Sequence, residues 1–353
     1  MSLYHYYDGI EPVLLEKKGA KFIFITSKID LLKAVKQDEL ISQKYTINSS
    51  ESKHGLRLRI NKIIKYRGKT REVSASTILV KQGKSNVYTI ITFDDLQVIK
   101  DVIIRFLDTY SSELYRLTLT SAKLEDLLTK IKESLNCNII TDKLVSYSRI
   151  NNEMIKIGSS RKREADLRWT GEDYKESFSR ALKNNQWIDK ISFYARKNKK
   201  TLFRASLSRS GLFEIDSSGV EFYNIITGYL TGFGETNIKL FSDKSRMENE
   251  GAIKPITIEY PMKIFENVEQ NKKLISAISE FPKSNSFVYH GNPYLHMSIV
   301  DYTDGSSYDL WVISENRIII VPQLKATFKS LSRISEHIMK SFFEGTVEEL
   351  VIT

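Results

Sequence analysis

Asp8, Glu16 and Lys18 stand close together in "YYDGIEPVLLEKKG". An acid followed by Glu-x-Lys is the smallest set that serves metal-dependent phosphodiester cleavage: carboxylates hold Mg²⁺ and a lysine assists the attacking water. The spacing is short and chance matches are common, so a nuclease stands as an alternative and not as the leading reading. The remaining inventory for catalysis is poor. The five histidines, His5, His54, His290, His296 and His337, are scattered, and the six-residue separation of His290 and His296 fits no standard zinc spacing. The single cysteine, Cys137, excludes an internal disulfide and a cysteine-based zinc cluster. "SGLFEIDSSG" contains glycines but not the Lys-Ser/Thr of a phosphate-binding loop. The sequence calls for no cofactor, and it reads as a binding protein more readily than as an enzyme.

Binding chemistry is better supplied. From Lys53 to Arg71 the chain carries eight Lys or Arg and no acid, against a net charge of +10 for all 353 residues. Basicity concentrated in this way is the electrostatic footprint of a polyanion partner. Arg57, Arg59, Lys62, Lys65, Arg67 and Arg71 are its candidate contacts. Strand side chains alternate, so with Leu56, Leu58 and Ile60 inward, Arg57, Arg59 and Asn61 point outward. A second basic hairpin is read in "ISFYARKNKKTLFRASLS". With Ile191, Phe193 and Ala195 inward, Ser192, Tyr194 and Arg196 face out; in the next strand Arg204, Ser206 and Ser208 do the same. Lys197, Lys199 and Lys200 fill the link between them. Rings stack on unpaired bases at ~1–3 kcal/mol per base, and cations replace the counterions condensed on phosphates. Tyr194, Arg196, Lys199, Lys200 and Arg204 therefore join the candidate set, and the implied partner is single-stranded DNA or RNA.

The elements that must position these residues follow a recurring pattern of a few strands and then one amphipathic helix. "GLRLRINKIIKYRG", "KTREVSASTILVKQG" and "SNVYTIIT" read as strands. They lead into a helix with Leu96, Ile99, Ile103, Phe106 and Tyr110 on one face, for which Thr92 followed by Asp95 is the expected N-cap signal. The pattern returns at residues 188–230, and again at 293–345. In the latter, Asp304-Gly305 marks a hairpin turn, and a helix carries Leu324, Phe328, Leu331, Ile334, Ile338 and Phe342. Weaker copies are read at 12–38 and 236–281, with "TNIKLFSD" as a strand. Helices are expected at 121–135 and 172–185. The fold class is α+β, with repeated antiparallel sheet-plus-helix units in two domains.

"NVYTIITFDDLQVIKDVI" looks like the last strand and helix start of the Whirly, PUR-repeat and PC4-like single-strand nucleic-acid binders, and "FYARKNKKTLFRASL" is similar to their basic central hairpin. The resemblance is architectural and covers about half the chain. It implies binding through a concave sheet face, with Tyr194, Arg196 and Arg204 in the matching hairpin positions.

The polar joint "GSSRKREADLRW", Gly158 to Trp169, sets the expected boundary. Residues 1–165 form an N-terminal sheet-plus-helix domain with the basic strand pair, and residues 166–353 a C-terminal domain with two or more such units. "MSLYHYYDGIEP" lacks the pattern of a signal peptide, and no apolar run reaches the ~18 residues of a membrane span. The expectation is a cytoplasmic protein without a membrane partner. Protein partners in a larger replication, transcription or defence complex form the rival class.

Overall fold

The computed structural model describes residues 19–36, 45–52, 55–66, 69–149, 165–169, 171–216, 220–250 and 252–350. These residues form an α+β fold with two antiparallel sheets, and the chain divides into two compact units. The first unit comprises residues 1–146, 166–183 and 188–237; the second comprises 147–165, 184–187 and 238–353.

The first sheet is made by β1 (Ala20–Ser27), β2 (Tyr45–Ser52), β3 (Gly55–Tyr66), β4 (Lys69–Lys81), β5 (Val87–Thr92), β6 (Leu114–Arg116), β7 (Asn138–Ser148), β8 (Ala165–Trp169), β9 (Gln186–Lys197), β10 (Lys200–Ser208) and β11 (Leu212–Ile215). Its strand order is β2-β3-β4-β5-β1-β11-β10-β9-β7-β8, with β6 also pairing to β1. The expected boundary at residue 165 is therefore corrected. Strands on both sides of it share one sheet, because β1 pairs antiparallel with β5 on one side and with β11 on the other. The expected joint contributes an edge strand, β8, to the same sheet.

Helices cover both faces, which makes two cores. On one face lie α1 (Leu31–Lys36) and α2, a continuous helix whose segments are Leu96–Val98, a π-turn at Ile99–Ile104, and Arg105–Tyr110. Ile99, Val102, Ile103, Phe106 and Tyr110 pack there against Ile23, Ile25, Leu56, Leu58, Ile60 and Ile90. On the other face lie α3 (Ser121–Leu135), α4 (Tyr174–Lys183) and α5 (Val220–Phe241). Their Leu124, Leu128, Phe178, Phe222 and Ile226 pack against Phe22, Phe24, Ile191, Phe193 and Phe213. Central strand β1, "AKFIFITS", is consequently buried along its whole length. Each such apolar side chain contributes ~1.5–3 kcal/mol by leaving water. Gly211 turns β10 into β11 at φ +73°, and a Cβ there would lie 2.2 Å from the Leu117 carbonyl oxygen, so only glycine fits.

Two local expectations fail. Thr92 does not cap α2: its hydroxyl donates to the Ser76 carbonyl, and Asp95 is the N-cap residue. "TNIKLFSD" is not a strand, since Thr236 to Phe241 continue α5, whose apolar side chains outweigh the short alternation.

The second unit holds β12 (Ile256–Glu259), α6 (Val268–Ser279), β13 (Ser284–His290), β14 (Leu295–Asp301), β15 (Ser306–Ser314), β16 (Arg317–Pro322), α7 (Phe328–Ser341) and β17 (Thr346–Glu349). Its sheet order is β13-β14-β15-β16-β12-β17. The Asp304-Gly305 turn links β14 to β15, with Gly305 at φ +77°. Helix α7 is fixed by Thr327 at its N-cap and by Asp301. The Asp301 carboxylate is fully buried and accepts from Ser330 Oγ at 2.7 Å and from Arg333 Nη1 at 2.6 Å. Leu324, expected on this helix, precedes it and is exposed. Among the described residues, no helix is long and apolar enough to cross a membrane.

Candidate functional site

The two basic hairpins belong to one sheet and turn their outward arginines, Arg57 and Arg59 in one and Arg196 and Arg204 in the other, to opposite faces of it. In β3, Leu56, Leu58 and Ile60 enter the core beneath α2, so Arg57, Arg59 and Asn61 emerge on the other side. There Arg59 stands between Asn48 and Ser76, and Arg57 beside Ser50, in the β2-β3-β4 ladder. Thr46, Asn48, Ser50, Arg59, Ser74 and Ser76 are exposed, and Arg57 is half-buried. This outer part of the sheet is a polar, open face.

The rest of the basic stretch does not join them. Lys62 has the same parity as Leu58 and Ile60 and is buried, contrary to its reading as a surface contact. Its ammonium donates to the Asp101 carbonyl in the π-turn at 2.6 Å and lies 5.5 Å from the centre of the Tyr45 ring. Lys62 thus ties β3 to α2. Arg71 is exposed, but it pairs with Ile64 and shares the side of Ala75 and Leu79, away from Arg59. Lys65 lies near the end of β3, and Arg67 lies outside the described residues.

The second hairpin presents Arg196 and Arg204 on the α2 face, because β9 and β10 send Ile191, Phe193, Ala195, Ala205 and Leu207 into the opposite core, whereas Lys197 shares the parity of Phe193 and turns toward α3. Tyr194 pairs directly with Arg204 across the ladder. The guanidinium carbons of Arg196 and Arg204 each lie 5.5 Å from the Tyr194 ring centre. Arg204 is fixed by Asp142 Oδ2 at 2.5 Å, and this hydrogen bond pushes its pKa above the usual arginine value. At the tip, Asn198 and Lys199 adopt φ +49° and +64°, the left-handed pair that matches the twist of a two-residue hairpin. The turn sets Lys197 directly opposite Lys200, an unfavourable like-charge pair. Lys197 donates to the Leu135 carbonyl at the end of α3, where the helix dipole favours a cation. Arg196, Lys199 and Lys200 are exposed.

Beside this hairpin a groove of about 470 Å³ crosses β7, β9, β10, β11 and β1. Lys21, Lys143, Lys190, Ser192, Arg204, Ser206, Glu214 and Asp216 line it. Lys190 Nζ bonds Glu214 at 2.8 Å. Sequence reasoning found Arg204 and placed Ser192 and Ser206 outward, but it missed the three lysines. Lys190 shares the outward parity of Ser192 and Tyr194, so its signal was present. Lys21 and Lys143 arrive from strands whose neighbours only the topology reveals.

The second unit carries a different surface. On the sheet face away from the buried Leu295, Met297, Tyr308 and Leu310, a row of rings crosses β13, β14 and β15. Phe287 meets Tyr289 at 4.9 Å, Tyr289 meets His296 at 4.7 Å, and His296 stacks on Trp311 at 3.6 Å and 10°. Phe287 and Tyr289 are exposed. Asp309 stands next to the row, opposite Ser298. The closely spaced aromatics between residues 287 and 311 are the sequence signal for this row.

No protein-family model matches the chain, and no curated protein does. Among the described residues, no three His, Cys, Asp or Glu side chains gather as a metal site. Asp8, Glu16 and Lys18 lie outside the described residues. Cys137 is buried, and burial pushes its thiol pKa up, away from nucleophilic use.

Proposed function

We propose that the chain binds single-stranded DNA or RNA on the first sheet, without catalysing a reaction on it. The observation that carries this reading is Tyr194 between Arg196 and Arg204 on an open strand pair, beside a tip where Lys197 and Lys200 oppose each other. Bases stack on aromatic rings and on guanidinium planes alike, while the tip lysines gain from a phosphate that relieves their repulsion. The resemblance to the Whirly, PUR-repeat and PC4-like binders is part of the same proposal, supported by meanders such as β2-β3-β4-β5 that are closed by a helix. The proposed setting is the cytoplasm. Fluorescence anisotropy of a labelled oligothymidylate at increasing salt tests the reading. Affinity should fall linearly on a log–log scale, and Tyr194→Ala with Arg196→Ala should weaken binding by tenfold or more, on the order of one stacked base and its phosphate. Absence of salt-dependent binding overturns it.

A second reading, an interaction subunit of a larger complex, is favoured by the exposed Phe287–Tyr289 pair beside Asp309, a surface short of cations. Under the leading reading, Phe287→Ser with Tyr289→Ser leaves oligonucleotide affinity unchanged. Under the second, that variant loses a protein partner and the oligonucleotide does not bind at all.

A further inference from the structure

Ser206 is 7 % exposed, and its hydroxyl oxygen is buried with no hydrogen-bond partner among the described residues. Buried polar groups are normally satisfied, so an orphaned one that lines a groove points to a ligand. The other polar side chains of the groove narrow the choice. Lys21, Lys143, Lys190, Arg204 and Ser192 all bring hydrogen-bond donors. The carboxylates are engaged within the protein: Glu214 accepts from Lys190 at 2.8 Å, and Asp216 accepts from the Arg204 backbone N–H at 2.9 Å. Arg204 is in turn held by Asp142. The groove therefore offers donors and calls for a group made of acceptors. Phosphate is such a group. A volume of about 470 Å³ exceeds what a bare phosphate fills and lies within the range of small-ligand sites. Tyr194, directly across the ladder from Arg204, provides a ring on the same face.

We infer that this groove seats the phosphate of a single nucleotide unit, with Ser206 Oγ donating to a phosphate oxygen and the base reaching Tyr194. Lys143 and Lys21 supply charge, and Lys190 and Arg204 keep their carboxylate partners while donating their remaining hydrogens. The inference rests on the nucleic-acid reading for the origin of the nucleotide, but the site can be probed without a polymer.

Isothermal titration of the full chain with adenosine 5′-monophosphate, adenosine and inorganic phosphate tests it, alongside anisotropy with an oligothymidylate. Adenosine 5′-monophosphate should bind at least about tenfold more tightly than adenosine, since hydrogen bonds to a charged group exceed neutral ones. Ser206→Ala should weaken the nucleotide about fivefold and leave adenosine unaffected, with circular dichroism confirming the fold. Lys143→Gln gives a second variant with the same direction. Equal affinity for nucleotide and nucleoside, or wild-type nucleotide binding by both variants, overturns the inference. Oligothymidylate binding without nucleotide binding also overturns it, while the polymer reading stands. Nucleotide binding as described, with no oligothymidylate binding, upholds the groove and defeats the polymer reading.

Discussion

Arg57 and Tyr194 are outward residues of the same sheet and lie on its opposite faces. Arg57 alternates with residues packed beneath α2, whereas Tyr194 alternates with residues packed beneath α3, α4 and α5. Six strand-to-strand steps separate β3, which carries Arg57, from β9, which carries Tyr194. One short strand of nucleic acid cannot lie flat on both positions, so under the proposed function the two basic hairpins would be separate footprints.

That separation has a measurable form. Arg57→Ala with Arg59→Ala should flatten the slope of log affinity against log salt by roughly 0.7 for each phosphate that the protein no longer neutralises on single strands. Its effect should add to that of Tyr194→Ala with Arg196→Ala, because distant sites without shared partners combine independently. Arg59→Ala alone should change thermal stability little, since exposed charges contribute little to it, whereas the half-buried Arg57 also loses packing. An unchanged slope and affinity for Arg57→Ala/Arg59→Ala would assign the outer face no ligand.

Lys62 should behave in the opposite way. Its buried ammonium bonds the Asp101 carbonyl, so Lys62→Ala removes a charge-assisted hydrogen bond worth ~1–3 kcal/mol. Urea denaturation should show that destabilisation, and the salt slope for oligonucleotide should match wild type. A reduced slope with undiminished stability would return Lys62 to the binding surface.

Alternation by twos placed Arg59 and Tyr194 outward, and spacings of three and four marked the buried stripe from Ile99 to Tyr110. Both patterns were legible because each needs only a nearby core. Which core was not legible. A strand's alternation reports an inside, but this sheet has two, and the choice depends on β1 slotting between β5 and β11. The same gap hid the groove, whose Lys21, Lys143 and Lys190 meet only through that strand order. Lys62 was misread for another reason: its charge suggested solvent, while its parity with Leu58 and Ile60 placed it inside.

Asp301 gives the second unit an acid limit. Burial raises its pKa, but the Thr303 N–H, the Ser330 hydroxyl and Arg333 outweigh that and hold it below the usual 3.8. A carboxylate depressed on folding stabilises the protein above its unfolded pKa and loses that contribution as pH falls through the folded value. Unfolding monitored by Trp fluorescence should therefore show a stability drop below about pH 4, where the unfolded group begins to titrate. Asp301→Asn should cost roughly 3 kcal/mol at neutral pH, because it leaves Arg333 without its buried partner. The variant should also respond less to acid. An equally steep acid limb in the variant would place the sensitive group elsewhere.

Gly211→Ala tests the turn that aligns β10 with β11. At φ +73°, with the Leu117 carbonyl 2.2 Å from the added Cβ, the backbone must shift. A loss of about 2–4 kcal/mol is expected by chemical denaturation, combining left-handed strain with the clash. A near-neutral result would mean that the turn can relax without moving its strands.

The position of β1 sets an order of events during synthesis. Its eight residues are all buried once folded, yet β11, one of its flanking partners, lies about 190 residues later in the chain. β6 can cover Ile25–Ser27 of that edge about 90 residues after β1, but at ~5–20 residues per second the Ala20–Ile23 part stays uncovered for about 10–40 s. β5 arrives far sooner and can shield the other edge with the β2-β3-β4-β5 meander. The nascent chain therefore spends that interval with the first half of an apolar strand edge open to other chains, the condition in which holding chaperones engage.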